Sequence, residues 1–314
     1  MRVLITGGAG FIGSNLADYL LDMGCSVIVY DNFDDYYSGK IRNVRHMLDD
    51  DNFRLLRADV LNYSSLLNAM KRVDVVYHLA AQPGVRFSMA NPEKTIRVNV
   101  LGTLNVLKAA LKAGVGRIVD ASSSSVYGNP VYLPEDELHP TNPISVYGAS
   151  KLMAENLCRI FHNEFGLPVV VLRYFTVYGP RQRPDMAICR WVKAILRGDP
   201  ITIYGDGSQT RDFTYVMDAV EGTVKAGLAG GIEGEVFNIG SGVRVSINDL
   251  VKMLIEICGV DDVKIKHEPP KAGDVKDTHA SIAKASRLLG YRPKVDIREG
   301  LKLFVSWFRE NLVR

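Results

Sequence analysis

Tyr147 and Lys151 stand one helical turn apart in Tyr147-Gly148-Ala149-Ser150-Lys151. Residues i and i+4 of a helix share a face, so the ammonium is held near the phenol. A nearby positive charge favours the phenolate, and a tyrosine so tuned exchanges a proton with a substrate hydroxyl near neutral pH. Tyr-x-x-x-Lys alone is common, and an exposed helix pair is its ordinary explanation. A second group of polar residues lies upstream, in Ala121-Ser122-Ser123-Ser124-Ser125-Val126-Tyr127-Gly128. Its hydroxyls offer several donors and acceptors to a polyol. The Val-Tyr-Gly that follows points to a loop anchored in the fold rather than a solvated one.

Gly7-Gly8-Ala9-Gly10-Phe11-Ile12-Gly13 follows the apolar run Val3-Leu4-Ile5 and opens a helix expected from Gly13 to Met23, ending at Gly24. Glycines at this spacing let the backbone turn tightly and approach a pyrophosphate, which sits at the positive helix N-terminus. Asp31 closes the next apolar run, Val27 to Tyr30, where a carboxylate accepts from an adenosine ribose hydroxyl. It would repel a 2′-phosphate, and Asn32-Phe33 brings no arginine to attract one. NAD is therefore favoured over NADP. Asp59-Val60 and Leu79-Ala80-Ala81 end the third and fourth strands on the carboxyl edge where the cofactor should lie.

These groups need a scaffold. Further short runs at Leu55-Leu56, Val75 to Leu79, Arg117 to Val119 and Val169 to Leu172 are apolar throughout, which implies strands covered by helices on both faces. Strands alternating with helices predict an α/β fold with a doubly wound, Rossmann-type parallel sheet. After about Tyr174 the pattern loosens, with loops at Pro180, Pro184, Pro200 and Gly205 to Gly207, a late strand over Val236 to Ile239 and an amphipathic helix over Ile247 to Ile257. We expect an NAD-binding domain over 1–175, with return segments near 213–245. A smaller, interleaved substrate-binding part would occupy 176–314.

The length of 314 residues suits one large domain or two intimate ones. With 47% hydrophobic and 23% charged residues the chain is not a disordered one. A net charge of +3 is too small to grip nucleic acid through many phosphates. No apolar run reaches the roughly 18 residues that span a membrane, and the N-terminus lacks the apolar core of a signal peptide. Cys25, Cys158, Cys189 and Cys258 are scattered, without a Cys-x-x-Cys pair. Neither a metal site nor a disulfide framework is expected, and a reducing cytoplasm fits.

Taken together, the glycine loop, His78-Leu79-Ala80-Ala81, Ser-Val-Tyr-Gly, Tyr147 with Lys151, Arg173-Tyr174-Phe175 and Arg211-Asp212-Phe213 resemble the extended short-chain dehydrogenases/reductases, in the nucleotide-sugar epimerase and dehydratase branch. The resemblance runs from residue 1 to about Pro293. It implies bound NAD and a nucleoside-diphosphate sugar, with Ser123, Tyr147 and Lys151 as the catalytic set. It further implies cofactor contacts at Gly7, Gly10, Phe11, Ile12, Gly13, Asp31, Asn32, Asp59, Val60, Leu79, Ala80, Ala81, Asn99, Tyr147, Lys151 and Tyr174. Dehydratases of the family carry Asp-Glu where this chain has Ser124-Ser125, and the decarboxylases a Glu at Ser125. The resemblance thus points to 4-epimerisation through a transient 4-keto sugar.

Gln82-Pro83-Gly84-Val85-Arg86, the four serines, and Thr176 with Arg183-Pro184-Asp185-Met186-Ala187 resemble the UDP-glucuronate 4-epimerases. In that group the positions of Thr176, Arg183, Ser124 and Ser125 serve the uronate carboxylate. Arg86, Arg211 and Asp274 match positions that hold the rest of the UDP-sugar, together with Ser123 and Tyr147. Lys271 stands where the family often has Arg, keeping the charge without the bidentate fork. The alternatives are a UDP-glucose/UDP-galactose 4-epimerase and a catalytically silent NAD-binding regulator. The resemblance also implies a homodimer built from helices near Thr95 to Ala113 and Tyr147 to Phe165.

Overall fold

The computed structural model describes residues 1–271 and 273–312. Strands Arg2–Thr6 (β1), Ser26–Asp31 (β2), Phe53–Arg57 (β3), Val75–His78 (β4), Arg117–Ser123 (β5) and Val169–Tyr174 (β6) enter a seven-stranded sheet. Its spatial order is β3-β2-β1-β4-β5-β6-β10, where β10 is Val236–Ile239, and every pairing is parallel. The expected doubly wound sheet is therefore the observed one. Strand order reverses between β1 and β4, which opens a crevice at their carboxyl ends, where such sheets bind ligands.

The inner strands are apolar on both faces because both are covered, whereas edge strand β3 exposes Arg54 and Arg57. Val3 and Ile5 pack with Leu16 and Leu20 of the Phe11–Asp22 helix and with Val220 and Val224 of the Val216–Leu228 helix. Leu4, Val76 and Ile118 face the other way, onto Leu66, Val106, Leu107 and Phe161 of three further helices. Gly24, at φ 75, stops the first helix close to where the sequence places its end.

The remaining strands are Thr176–Tyr178 (β7), Ile201–Tyr204 (β8), Thr210–Tyr215 (β9), Arg244–Ser246 (β11) and Ile265–Glu268 (β12). They form a three-stranded sheet, β11-β9-β7, and a two-stranded one, β12-β8. Neither was visible in the sequence beyond a loosening of the pattern, because strands such as Thr210–Tyr215, Arg244–Ser246 and Ile265–Glu268 mix charged and polar residues into what would otherwise be apolar runs. The second part has no separate core. Trp191, Ile203 and Phe304 belong to the same apolar cluster as Val3 and Ile5.

The stretch expected as one helix near Thr95 to Ala113 is broken. Pro92–Ile96 and Gly102–Ala113 are α-helical, and Arg97–Leu101 between them is a π-turn. Such turns cluster near functional sites, and this one carries Asn99.

Candidate active site

The glycine loop sits in the crevice, and its spacing follows from close backbone approach. A Cβ on Gly7 would lie 2.7 Å from the Ala80 nitrogen, and one on Gly13 would lie 2.5 Å from the Gly7 oxygen. The end of β1, the end of β4 and the first helix turn therefore touch through backbone alone. Asp31 is buried and braces this loop: Oδ2 accepts from Ala9 N at 3.1 Å and Oδ1 from Phe33 N at 2.8 Å. Burial holds its carboxyl above the usual range, against these bonds. Asp59 is turned toward its own neighbours, accepting from Asn32 Nδ2 at 2.9 Å and Leu61 N at 2.8 Å.

One cleft of about 350 Å³ joins the groups singled out in the sequence. Asp31, Asn32 and Val60 line it with Gly7, Gly10, Phe11, Ile12 and Gly13. So do Leu79, Ala80, Ala81 and Tyr174, then Ser123, Ser124, Ser125, Tyr147 and Lys151, and finally Thr176 and Arg183. Tyr147 lies in the first turn of the Val146–Phe165 helix, whose N-cap Ser145 accepts from Gly148 N at 3.0 Å. A Cβ on Gly148 would come within 2.4 Å of the Ser125 oxygen, so this glycine lets the helix dock on the serine turn. Ser123 ends β5, and its Oγ accepts from Ser125 N at 3.2 Å. Lys151 is buried and donates from Nζ to the Ala121 oxygen at 2.7 Å.

A buried polar layer supports this floor. Ser122 Oγ donates to Glu155, which pairs with Arg173 through Nη2–Oε2 at 2.7 Å and Nε–Oε1 at 3.0 Å. Arg173 also donates to Tyr127 Oη at 3.1 Å, and Tyr127 to Asn238 Oδ1 at 2.6 Å. His78 bonds Thr6 and Thr103, and burial with the Lys151 charge pushes it down to about 3, so it is neutral. Asp120 on β5 is fully buried, has no hydrogen-bond partner among the described residues, and is pushed up to about 6 by burial.

Five residues expected at the site are not in the cleft lining. Asp59 is one, engaged as described above. Asn99 is buried, with its amide bonding both backbone groups of Gln82 and the Ser150 hydroxyl. Arg86 pairs with Asp274 at 2.9 Å and lies over the Tyr204 ring at 4.4 Å. Lys271 covers the same ring at 4.8 Å. Arg211 donates to the carbonyls of Thr210, Val275 and Lys276. These last four residues form a second cluster, where the Val85–Ala90 helix meets the loop after β12.

Tyr36, Tyr37 and Lys40, which no motif singled out, also line the cleft, as does Gln82. Lys40 donates to the Asp34 oxygen at 2.7 Å and lies 4.8 Å over the Tyr37 ring. The adjacent tyrosines, so soon after Asp31, were the available signal.

A family profile described as GDP-mannose 4,6 dehydratase matches residues 4–304. The chain belongs to that family, the extended short-chain dehydrogenases/reductases. Among solved structures it is similar to the UDP-glucuronic acid 4-epimerase of Bacillus cereus in complex with UDP-glucuronic acid and NAD. The two share 40% identity over 99% of each chain, at a TM-score of 0.94. It is also similar to the UDP-glucose 4-epimerase of Thermotoga maritima with UDP-glucose, at 38% identity, 99% and 100% coverage and a TM-score of 0.92. Among curated proteins, UDP-glucuronic acid decarboxylase 4 of Arabidopsis thaliana is 38% identical over 99% of this chain and 69% of that one.

The site fits the NAD of these reductases. The side-chain-free glycine loop packs on backbone alone, and the cleft it lines with Asp31 runs on to Tyr147 and Lys151, which gives an elongated dinucleotide room to lie along it. Among the described residues no cluster of His, Cys, Asp or Glu could hold a metal ion, and no helix is long and apolar enough to cross a membrane.

Proposed function

We propose that the chain is a cytoplasmic, NAD-dependent UDP-sugar 4-epimerase whose substrate is UDP-glucuronate, converted to UDP-galacturonate. One observation carries this: the glycine loop, the Ser123–Tyr147–Lys151 set and Arg183 line a single cleft. When bound, NAD supplies a hydride acceptor and, once reduced, a donor. Tyr147 as phenolate takes the proton of the 4-hydroxyl and later returns it. Ser123 hydrogen-bonds the reacting oxygen. Lys151 supports the phenolate and holds the nicotinamide ribose. The 4-keto sugar turns about its link to the diphosphate and presents its other face, so C4 is inverted.

Ser124 and Ser125 offer hydroxyls and no carboxylic acid at the sugar, which suits epimerisation better than elimination. Arg183, Thr176, Ser124 and Ser125 receive the C5 carboxylate. The 4-keto uronate is a β-keto acid, and it loses carbon dioxide when its C5–C6 bond aligns with the carbonyl π system. Holding the carboxylate out of that alignment is a positioning effect.

The purified protein, incubated separately with UDP-glucuronate and UDP-glucose without added NAD, should form the C4 epimer of the uronate faster. Preference for UDP-glucose would move the assignment to a UDP-glucose/UDP-galactose epimerase, and inactivity on both to a silent binding protein.

We further propose a homodimer through the helices around residues 92–113 and 146–165. Ile96, Leu101, Met153 and Ile160 lie exposed there, with Leu101 at 50%. Pairing the same patch on two copies would bury them. A monomeric mass by light scattering at micromolar concentration would refute it.

A further inference from the structure

Arg183 does not stand alone in the cleft. Its Nε lies 2.9 Å from Asp185 Oδ1 and its Nη2 lies 3.1 Å from Asp185 Oδ2, a parallel two-bond contact. Asp185 is gripped in turn from the cofactor side, where Tyr36 Oη donates to its Oδ2 at 3.0 Å. The Tyr36 ring packs edge-on against Phe87, with centroids 4.9 Å apart. Its hydroxyl occupies space that only a glycine at position 84 leaves open, since a Cβ there would lie 2.7 Å away. The segment is pinned once more where Asp34 pairs with Lys94 at 2.8 Å.

A guanidinium has two edges that can each hold a carboxylate by two parallel bonds: Nε with Nη2, and Nη1 with Nη2. Asp185 occupies the first. Nη1 has no protein partner among the described residues, and Arg183 lines the cleft. Burial opposes the Arg183 charge, but the bonds and charge of Asp185 outweigh it and keep the guanidinium firmly protonated.

We propose that Asp185, held by Tyr36, is a positioning residue that clamps Arg183 by its Nε/Nη2 edge and so presents the Nη1/Nη2 edge to the substrate's carboxylate. This rests on the proposed uronate specificity and deepens it. A carboxylate bound two-fold to a guanidinium lies in the guanidinium plane. Asp185 thereby sets, through Arg183, where C6 of the sugar sits relative to the C4 carbonyl. The Arg183–Asp185 pair is neutral overall, so recognition of the uronate depends on this geometry more than on net charge. A lysine at position 183 could not replace the fork, having one nitrogen and no second edge.

When the clamp is lost, C6 can reach the alignment for decarboxylation of the 4-keto uronate. The C5–C6 bond then breaks, its electron pair becomes the C4–C5 enolate, carbon dioxide leaves, and a proton adds at C5. The product is a UDP-pentose once the hydride taken from C4 is returned, or a UDP-4-keto-pentose if the keto sugar leaves first, in which case the cofactor would stay reduced.

The test compares wild type with Asp185→Asn, Asp185→Ala and Tyr36→Phe. Both UDP-glucuronate and UDP-glucose are assayed, with products separated by chromatography. The ratio of kcat/KM for UDP-glucuronate to that for UDP-glucose should fall at least about tenfold in both Asp185 variants, as expected for a misplaced bond to a charged group. It should fall less in Tyr36→Phe, and the loss on the uronate should appear mainly in KM. The share of UDP-glucuronate ending decarboxylated, as UDP-pentose or UDP-4-keto-pentose, should rise in the same order.

A specificity ratio unchanged in both Asp185 variants, or equal losses on both sugars, overturns the proposal while leaving the uronate assignment standing. A higher kcat/KM for UDP-glucuronate in Asp185→Asn overturns it too, since Asp185 would then compete with the substrate for Arg183. A wild type inactive on UDP-glucuronate overturns the assignment and this inference together.

Discussion

Lys151 Nζ donates to the backbone oxygen of Ala121 across 2.7 Å. This bond ties the helix that carries Tyr147 to the strand that ends in Ser123, so the three proposed catalytic side chains share one rigid corner. It also fixes one of the three ammonium protons and leaves two to act in the cleft.

Tyr147→Phe should remove the proton-transfer group while the ring keeps its packing. Groups of this kind contribute roughly 10²–10⁴-fold, so turnover on either UDP-sugar should fall at least about a hundredfold. NAD released on denaturing the variant should match wild type. Near-normal epimerisation by Tyr147→Phe would show that another group moves the proton.

Gly13→Ala should lose the cofactor. The new Cβ would lie 2.5 Å from the Gly7 oxygen and 2.7 Å from the Gly8 Cα, so the loop must open. Gly24 is the control: it has φ +75 but nothing within 4 Å of a Cβ. Gly24→Ala should cost about 1–2 kcal/mol of stability through backbone strain alone and keep its NAD. Titration of both variants with NAD, followed by fluorescence, separates the two effects.

Glu155→Ala should be strongly destabilising. Glu155 and Arg173 are each about 7% exposed, and the substitution leaves the guanidinium buried without its countercharge. Removing one partner of such a pair costs about 3–5 kcal/mol. Breaking the exposed Arg298–Glu256 pair by Arg298→Ala should cost no more than about 1 kcal/mol. Urea unfolding of the two variants decides this, and similar losses would contradict the buried-pair argument.

Asp120 gives a pH dependence with a defined sign. Its folded-state value, pushed up to about 6 by burial, lies above the ordinary 3.8. Between those values the folded protein holds a proton that the unfolded chain has lost. The contribution is therefore fully present below about pH 4 and is lost as pH rises to about 6. A gap of about two units corresponds to about 3 kcal/mol. Asp120→Asn abolishes this titration. The change in unfolding free energy between pH 4 and pH 7.5 should thus be more favourable to the variant by about 2–3 kcal/mol, measured by chemical denaturation. Parallel pH profiles for wild type and variant would place Asp120 in a wetter setting.

Much of this protein was legible before any fold was seen, because its signals are local and periodic. Apolar runs such as Val3-Leu4-Ile5 need cover on both faces, so a parallel sheet between helix layers follows. The glycine loop must approach backbone closely wherever it lies. Tyr147 and Lys151 share a helix face whatever surrounds them. Tertiary structure alone decided what no period encodes. Tyr36 and Asp185 meet across 149 positions, and Arg86 and Asp274 across 188. Strand β10 returns to pair with β6. Asn99 is turned by a π-turn onto Gln82 and Ser150. Each of these contacts depends on where the chain's crossovers bring distant segments together, and a side chain's partner there is chosen by packing rather than by its neighbours in sequence.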